Sequence, residues 1–319
     1  MQEISAEKAE SETTSRCQAV EKFLENREIY KSFGIRLTIS APAFVFDKPK
    51  RIMAETVFPL NTGAKIPALG FGEFSCPPSK LTDLLTRPGT WQAKAGEVER
   101  AVEYALSIGY RHIDTAYSYG NEDEVGLGLK RAFESGLKRE DVFVTTKLWS
   151  THHRRVQENL DMSLKKLGLD YVDLYLMHWP VAMNPSGNHP MFPVTADGSR
   201  DVDFGRHHVD TYLDMEKLLE TGKVKAIGVA NYSVMYLEEL LAHASVVPAV
   251  NQIENHPLLP QQDVSDFCKA KGIHITAYSP LGSTGSPLLK LPVVEHIAVK
   301  HGVSPASVLL SYHGMCHLT

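Results

Sequence analysis

From Glu97 onward the chain alternates two apolar rhythms. Val98, Ala101, Val102, Ala105 and Leu106 recur at the spacing of one helix face, and Gly109 follows as a stop. Tyr110 to Asp114 then reads as a short strand. A second helix is predicted from Glu122 to Glu134, and Asp141 to Lys147, rich in Val, Phe and Thr, is the next strand. Val156, Leu160, Leu164 and Leu167 make another helix face, closed by Gly168, before a strand over Tyr171 to His178. A long stretch rich in Pro, Gly and Asn, Val181 to His208, interrupts the rhythm and reads either as a pocket-shaping loop or as a surface excursion. The alternation then resumes. Tyr212, Met215, Leu218 and Leu219 form a helix face, Lys225 to Asn231 a strand, and Tyr236, Leu237, Leu240 and Leu241 a helix face. Strands over Ala249 to Ile253 and Ile273 to Tyr278 flank a helix around Asp263 to Ala270, and Ser304 to His313 reads as a further helix.

A repeating strand–helix order predicts a parallel sheet, and apolar strands suit burial on both faces. An open doubly wound sheet and a closed barrel both satisfy the order. The open sheet would favour a dinucleotide fingerprint, for which Gly70-Phe71-Gly72 and Gly126-Leu127-Gly128 are the candidates. Neither continues with a third glycine at the required offset, and Gly126 lies inside a helix. The α/β reading is therefore a (β/α) barrel.

The totals narrow the functions. The chain has 319 residues, 43% hydrophobic and 22% charged, ordinary for a globular protein. A net charge of −5 without a long basic run argues against a nucleic-acid partner. No apolar run reaches the roughly 18 residues of a membrane span, and no signal-peptide core or transit-peptide composition marks the start. A cytoplasmic setting is the default. Cys17, Cys76, Cys268 and Cys316 are too scattered for a metal knuckle or redox pair. The pairs His152-His153 and His207-His208 invite a metal, but adjacent side chains point apart on a helix or strand, so no metal site is expected.

The informative feature is what ends each strand: Asp114, Lys147, His178, Asn231, Gln252 and Tyr278. In a parallel barrel these ends meet on one face, where barrel active sites lie. Taken singly, each has a plain structural reading, such as a turn cap or a satisfied core histidine; together they converge on one mouth. The runs carrying them are GYRHIDTAYSYGNE from Gly109, VTTKLW from Val144, DLYLMHWP from Asp173, VNQIE from Val250 and AYSPLGS from Ala277. These resemble the signature segments of the aldo-keto reductases, over about Met53 to His313 apart from one insertion. Within that family the chain looks most similar to the fungal glycerol dehydrogenase and glyceraldehyde (aldehyde) reductase type.

The resemblance implies a (β/α)8 barrel and a catalytic tetrad at Asp114, Tyr119, Lys147 and His178. Tyr119 would be the general acid, with Lys147 lowering the phenol pKa, Asp114 holding Lys147, and His178 orienting the substrate oxygen. A rival reading makes Tyr119 a packing aromatic. NADP(H) would be the cofactor, with Asn231 and Gln252 on the carboxamide, Tyr278 stacked on the nicotinamide, and Ser279, Leu281 and Ser283 at the pyrophosphate. Ala230 stands where many members have Ser. Trp91 and Trp179, with His178, would wall the substrate pocket. The partner would be a small-molecule carbonyl or alcohol; oligomeric state is not legible.

Three segments depart from the family pattern. Residues 1–52 have no counterpart and read as a disordered extension or a gene-model artefact, whereas Met53 onward reads as a family start leading into a small hairpin. Residues 73–89 separate Gly72 from Thr90-Trp91. Their ends can be encoded with splice-like GTGAGT and CAG, so a retained intron is expected. Residues 314–319 form an aberrant tail with a similar donor-like encoding at Gly314-Met315-Cys316. On this reading the eighth strand and last helix are missing, sheet edges stay unpaired, and the chain as written is unstable or inactive. The leading function is an NADP-dependent carbonyl reductase. The alternatives are an inactive or cofactor-binding regulatory member of the fold, and a Schiff-base aldolase using Lys147.

Overall fold

Residues 56–72, 96–282 and 286–315 are described in a computed structural model of the chain. The N-terminal extension, the 73–89 segment, Trp91, Ser283, and the cysteines other than Cys268 lie outside these residues. The first strands, β1 (Val57–Pro59) and β2 (Lys65–Pro67), make an antiparallel hairpin. There follow β3 (Phe71–Gly72), α1 (Glu97–Ser107), β4 (His112–Asp114), α2 (Glu122–Glu134), β5 (Phe143–Leu148), α3 (Val156–Leu167) and β6 (Val172–Met177). After the long loop come α4 (His208–Leu218), β7 (Val224–Ala230), α5 (Val234–Leu241), β8 (Val250–Glu254), α6 (Gln262–Ala270) and β9 (His274–Tyr278). Two helices end the described chain, α7 (Pro292–His301) and α8 (Pro305–Met315).

Strands β3 to β9 pair in sequence order, every pair parallel, into one seven-stranded sheet. Each crossover carries a helix, so helices cover the outer face of the sheet, and every residue of β5 is buried. Among the described residues β3 and β9 have no pairing with each other, which leaves the barrel nearly closed. Helix α8 runs on through Gly314 and Met315, past the His313 boundary that the sequence pattern gave it.

Two apolar layers hold the barrel. The outer layer lies between helices and strands and includes Val102, Leu129, Leu160, Tyr175, Tyr212 and Ile227. The inner one joins Leu60 and Ile66 of the hairpin to Phe143, Leu174, Leu176, Ala226 and Val250 inside the sheet. Asn61 Nδ2 ties the hairpin down by donating to the carbonyls of Val247 (3.3 Å) and Pro248 (3.1 Å). The hairpin therefore plugs the end of the barrel opposite the strand C-termini and leaves the other mouth open.

Gly126 and Gly128 have a packing role. A Cβ on Gly126 would sit 2.6 Å from the Lys166 carbonyl oxygen, and one on Gly128 2.7 Å from that of Glu99. These glycines let α2 approach α3 and α1 at backbone contact, which accounts for a Gly-x-Gly pair that belongs to no phosphate loop.

Candidate active site

Each strand from β4 to β9 delivers one polar residue to the open mouth. Asp114 ends β4 and Lys147 lies next to the end of β5. His178 and Asn231 directly follow β6 and β7, Gln252 lies in β8, and Tyr278 ends β9. Tyr119 sits in a one-turn 3-10 helix, Tyr117–Tyr119, after β4.

Lys147 is the centre of the group and is fully buried. Its Nζ donates to Asp114 Oδ1 at 2.5 Å, the Thr115 carbonyl at 2.9 Å and Tyr119 Oη at 3.1 Å. Three acceptors saturate an ammonium. Burial works against the charge, but Asp114 and Tyr119 outweigh it and hold the Lys147 pKa above the ordinary lysine value. A lysine so held keeps its lone pair occupied by a proton, which argues against the aldolase reading.

Tyr119 corrects one expectation. Its pKa is raised overall, because burial of the phenol outweighs the lowering by Lys147. The phenol therefore keeps its proton near neutrality and can deliver it. His178 meets the Tyr119 ring edge-on at 5.7 Å, and its Nδ1 lies 3.3 Å from Ser118 Oγ. Burial, then the Lys147 charge, push the His178 pKa well below the usual value, so the imidazole is neutral. When Ser118 donates to Nδ1, Nε2 carries the ring hydrogen and can bond an acceptor. The grouping thus offers a neutral phenol, a neutral imidazole donor and a fixed cation.

The cofactor candidates take partners within the site. Gln252 Nε2 donates to Asp114 Oδ2 at 2.8 Å, so the carboxylate is shared between Lys147 and Gln252. Asn231 Nδ2 donates to the His178 carbonyl (2.9 Å), and its Oδ1 accepts from Tyr278 Oη (2.8 Å). Burial, then Glu254 and Tyr119, push the Tyr278 pKa up to about 12, so its ring stays neutral. Asn231 (φ 62°) and Ser279 (φ 50°) are non-glycine residues in the left-handed region. Such backbone costs about 1–3 kcal/mol per residue and collects at functional sites. A flat neutral ring pinned by its hydroxyl, beside amides and strained backbone at one mouth, fits a nicotinamide; Ala230, buried in β7, contributes no hydroxyl. Leu281 packs against a separate apolar cluster of α7 and α8.

Trp179 is 44% exposed, whereas Trp149 is buried and meets both His178 and Phe192 edge-on at 5.3 Å. Trp149 Nε1 donates to the Met191 carbonyl at 2.6 Å, and Thr151 Oγ1 to that of Pro190 at 2.9 Å. The long loop is thus bolted onto the mouth. Trp149 closes one quoted run, but its partners lie some 40 residues on, beyond any local signal. Sequence reasoning also passed over Glu122. It is fully buried behind the site, and its oxygens accept from Thr146 (2.7 Å) and Ser163 (3.1 Å). Burial raises its pKa against those hydrogen bonds.

Among the described residues no helix is long and apolar enough to cross a membrane. The family profile described as "Aldo/keto reductase family" matches residues 85–315. The chain is 60% identical over 261 residues to a D-galacturonate reductase of Hypocrea jecorina, covering 82% of this chain and 79% of that protein. It is 47% identical to the glycerol 2-dehydrogenase (NADP(+)) of Saccharomyces cerevisiae, covering 85% and 81%. Among solved structures, the aldose reductase of Schistosoma japonicum matches with a TM-score of 0.73 at 39% identity, covering 82% and 80%. A parallel barrel, this family profile and reductase relatives across most of the chain agree: the protein is an oxidoreductase that belongs to the aldo/keto reductase family.

Proposed function

We propose that the chain reduces small, hydroxylated aldehydes with NADPH, Tyr119 supplying the proton. The carrying observation is Tyr119 Oη held 3.1 Å from a buried, triply bonded Lys147. A bound nicotinamide would supply hydride to the carbonyl carbon. Asn231, Gln252, Tyr278, Ser279, Leu281 and Ser283 would hold it, the two amides turning from their present partners toward the carboxamide. His178 Nε2–H fixes the substrate oxygen, and Tyr119 passes its proton to that oxygen as the alcohol forms. The phenolate left behind faces the Lys147 ammonium, whose field in a buried site acts most strongly once that charge has formed. Asp114 keeps the ammonium charged and in place.

Preference for a hydroxylated aldehyde is supported by relatives named for D-galacturonate and glycerol. NADP over NAD is supported by the relative named for NADP(+). The test is a panel of D-galacturonate, glyceraldehyde and an alkyl aldehyde, each with NADPH and NADH, following the loss of reduced-cofactor absorbance. Highest kcat/KM is expected for a hydroxylated aldehyde with NADPH. Preference for the alkyl aldehyde, or for NADH, overturns the respective assignment, and no turnover with any pair overturns the function.

A further inference from the structure

We propose that His207, His208 and Glu239 form a binding site for a divalent transition-metal ion of the zinc class, outside the barrel between α4 and α5. Nε2 of His207 lies 3.4 Å from Glu239 Oε1, and Nε2 of His208 lies 2.9 Å from Oε2. One ligand atom from each residue falls within 4.8 Å of the others. Bonds of about 2.0–2.1 Å to a tetrahedral zinc put neighbouring ligands roughly 3.3–3.4 Å apart. The two nitrogen–oxygen separations bracket that spacing, and two histidines with a carboxylate are a zinc ligand set that leaves a position open.

The convergence corrects the expectation that consecutive histidines diverge. His207 is the extended N-cap of α4 (φ −81°, ψ 147°), and His208 is the first helical residue. The backbone changes direction between them, and the rings lie 4.4 Å apart at 36°. The rule of divergence holds within a helix or a strand, not across the start of one.

A second observation lies behind His208. Tyr232 Oη donates to Met177 Sδ (3.1 Å) and stands 3.3 Å from His208 Nδ1. A metal ion would take the Nε2 lone pair in place of the proton that bonds Glu239, leaving Nδ1–H to donate to Tyr232 Oη, whose own proton goes to sulfur. A hydrogen-bond partner on the far ring nitrogen is also how metal-binding imidazoles are oriented. Tyr232 and Tyr236 clasp the His208 ring edge-on at 5.5 and 5.0 Å. His207 is half-exposed, and its cap contact with Val209 N, at 3.4 Å, is at the long end of hydrogen bonding, so its ring can turn at small cost. An ion here would clamp the end of the long mouth loop to α5.

The test is titration of the chelator-stripped full chain with Zn²⁺ by calorimetry and with Co²⁺ by visible absorption, beside His207→Ala and Glu239→Gln. Both substituted side chains are half-exposed and lie outside the catalytic group, so folding and carbonyl reduction should persist. One ion per wild-type chain is expected, with affinity weakened roughly tenfold or more in each variant. Absence of saturable binding to the wild type, or an unchanged affinity in either variant, overturns the proposal.

Discussion

Replacing Lys147 by methionine keeps the volume of the side chain and removes its charge. Asp114 then loses its 2.5 Å partner and keeps Gln252 at 2.8 Å, while Tyr119 Oη and the Thr115 carbonyl each lose a donor. Breaking a buried ion pair from one side costs about 3–5 kcal/mol. The Asp114 side chain is 14% exposed, and this residual hydration points to the lower end, about 3 kcal/mol. With a urea slope of about 3 kcal/mol/M, the unfolding midpoint should fall by about 1 M. The Lys147 pKa is raised in the folded state, so its stabilisation is fully present below the unfolded lysine value of about 10.4. It is lost only as pH rises through the folded pKa, so the gap between the two proteins is complete at neutral pH. The same substitution removes the one cation that stabilises a Tyr119 phenolate, and turnover should fall by about a hundredfold or more. Urea unfolding at neutral pH and steady-state reduction read the two effects separately. An unchanged midpoint with unchanged turnover refutes the role given to the pair.

Glu122→Gln should change how stability varies with pH. Its folded pKa is raised above 4.5 by burial, so above that value the unfolded chain releases a proton that the folded one retains. Wild type should lose up to about 1.4 kcal/mol per pH unit relative to the variant until the folded pKa is passed; a stability difference that stays flat with pH contradicts this. Trp149→Phe removes the hydrogen bond that bolts the mouth loop at Met191, worth about 0.5–1.5 kcal/mol. KM should rise roughly three- to tenfold with kcat little changed, and a loss confined to kcat would place Trp149 in the chemistry instead.

The barrel and its mouth were legible because they rest on local pattern. Apolar strands alternating with stripes at helical spacing locate β4 to β9 within a few residues. A polar residue at each strand end has one place to go in a parallel barrel. Helix α7, which buries Val294, Ile297 and Ala298 on one face, was passed over. Features fixed by distant contacts were also out of reach. Trp149 meets Phe192 across the loop, Gln252 meets Asp114 across the sheet, and Glu122 vanishes under α3. The Tyr119 pKa took the opposite direction because proximity to Lys147 can be guessed from a motif, whereas burial of the phenol cannot.

The claim at the centre of this account is that the Tyr119 hydroxyl donates the proton. Its most direct measurement compares Tyr119→Phe with wild type in single-turnover reduction of the best aldehyde of the panel, with NADPH affinity measured beside it. The account predicts a loss of about 10²- to 10⁴-fold in the chemical step with cofactor affinity unchanged. A chemical step within about threefold of wild type would contradict it and move the proton to another donor.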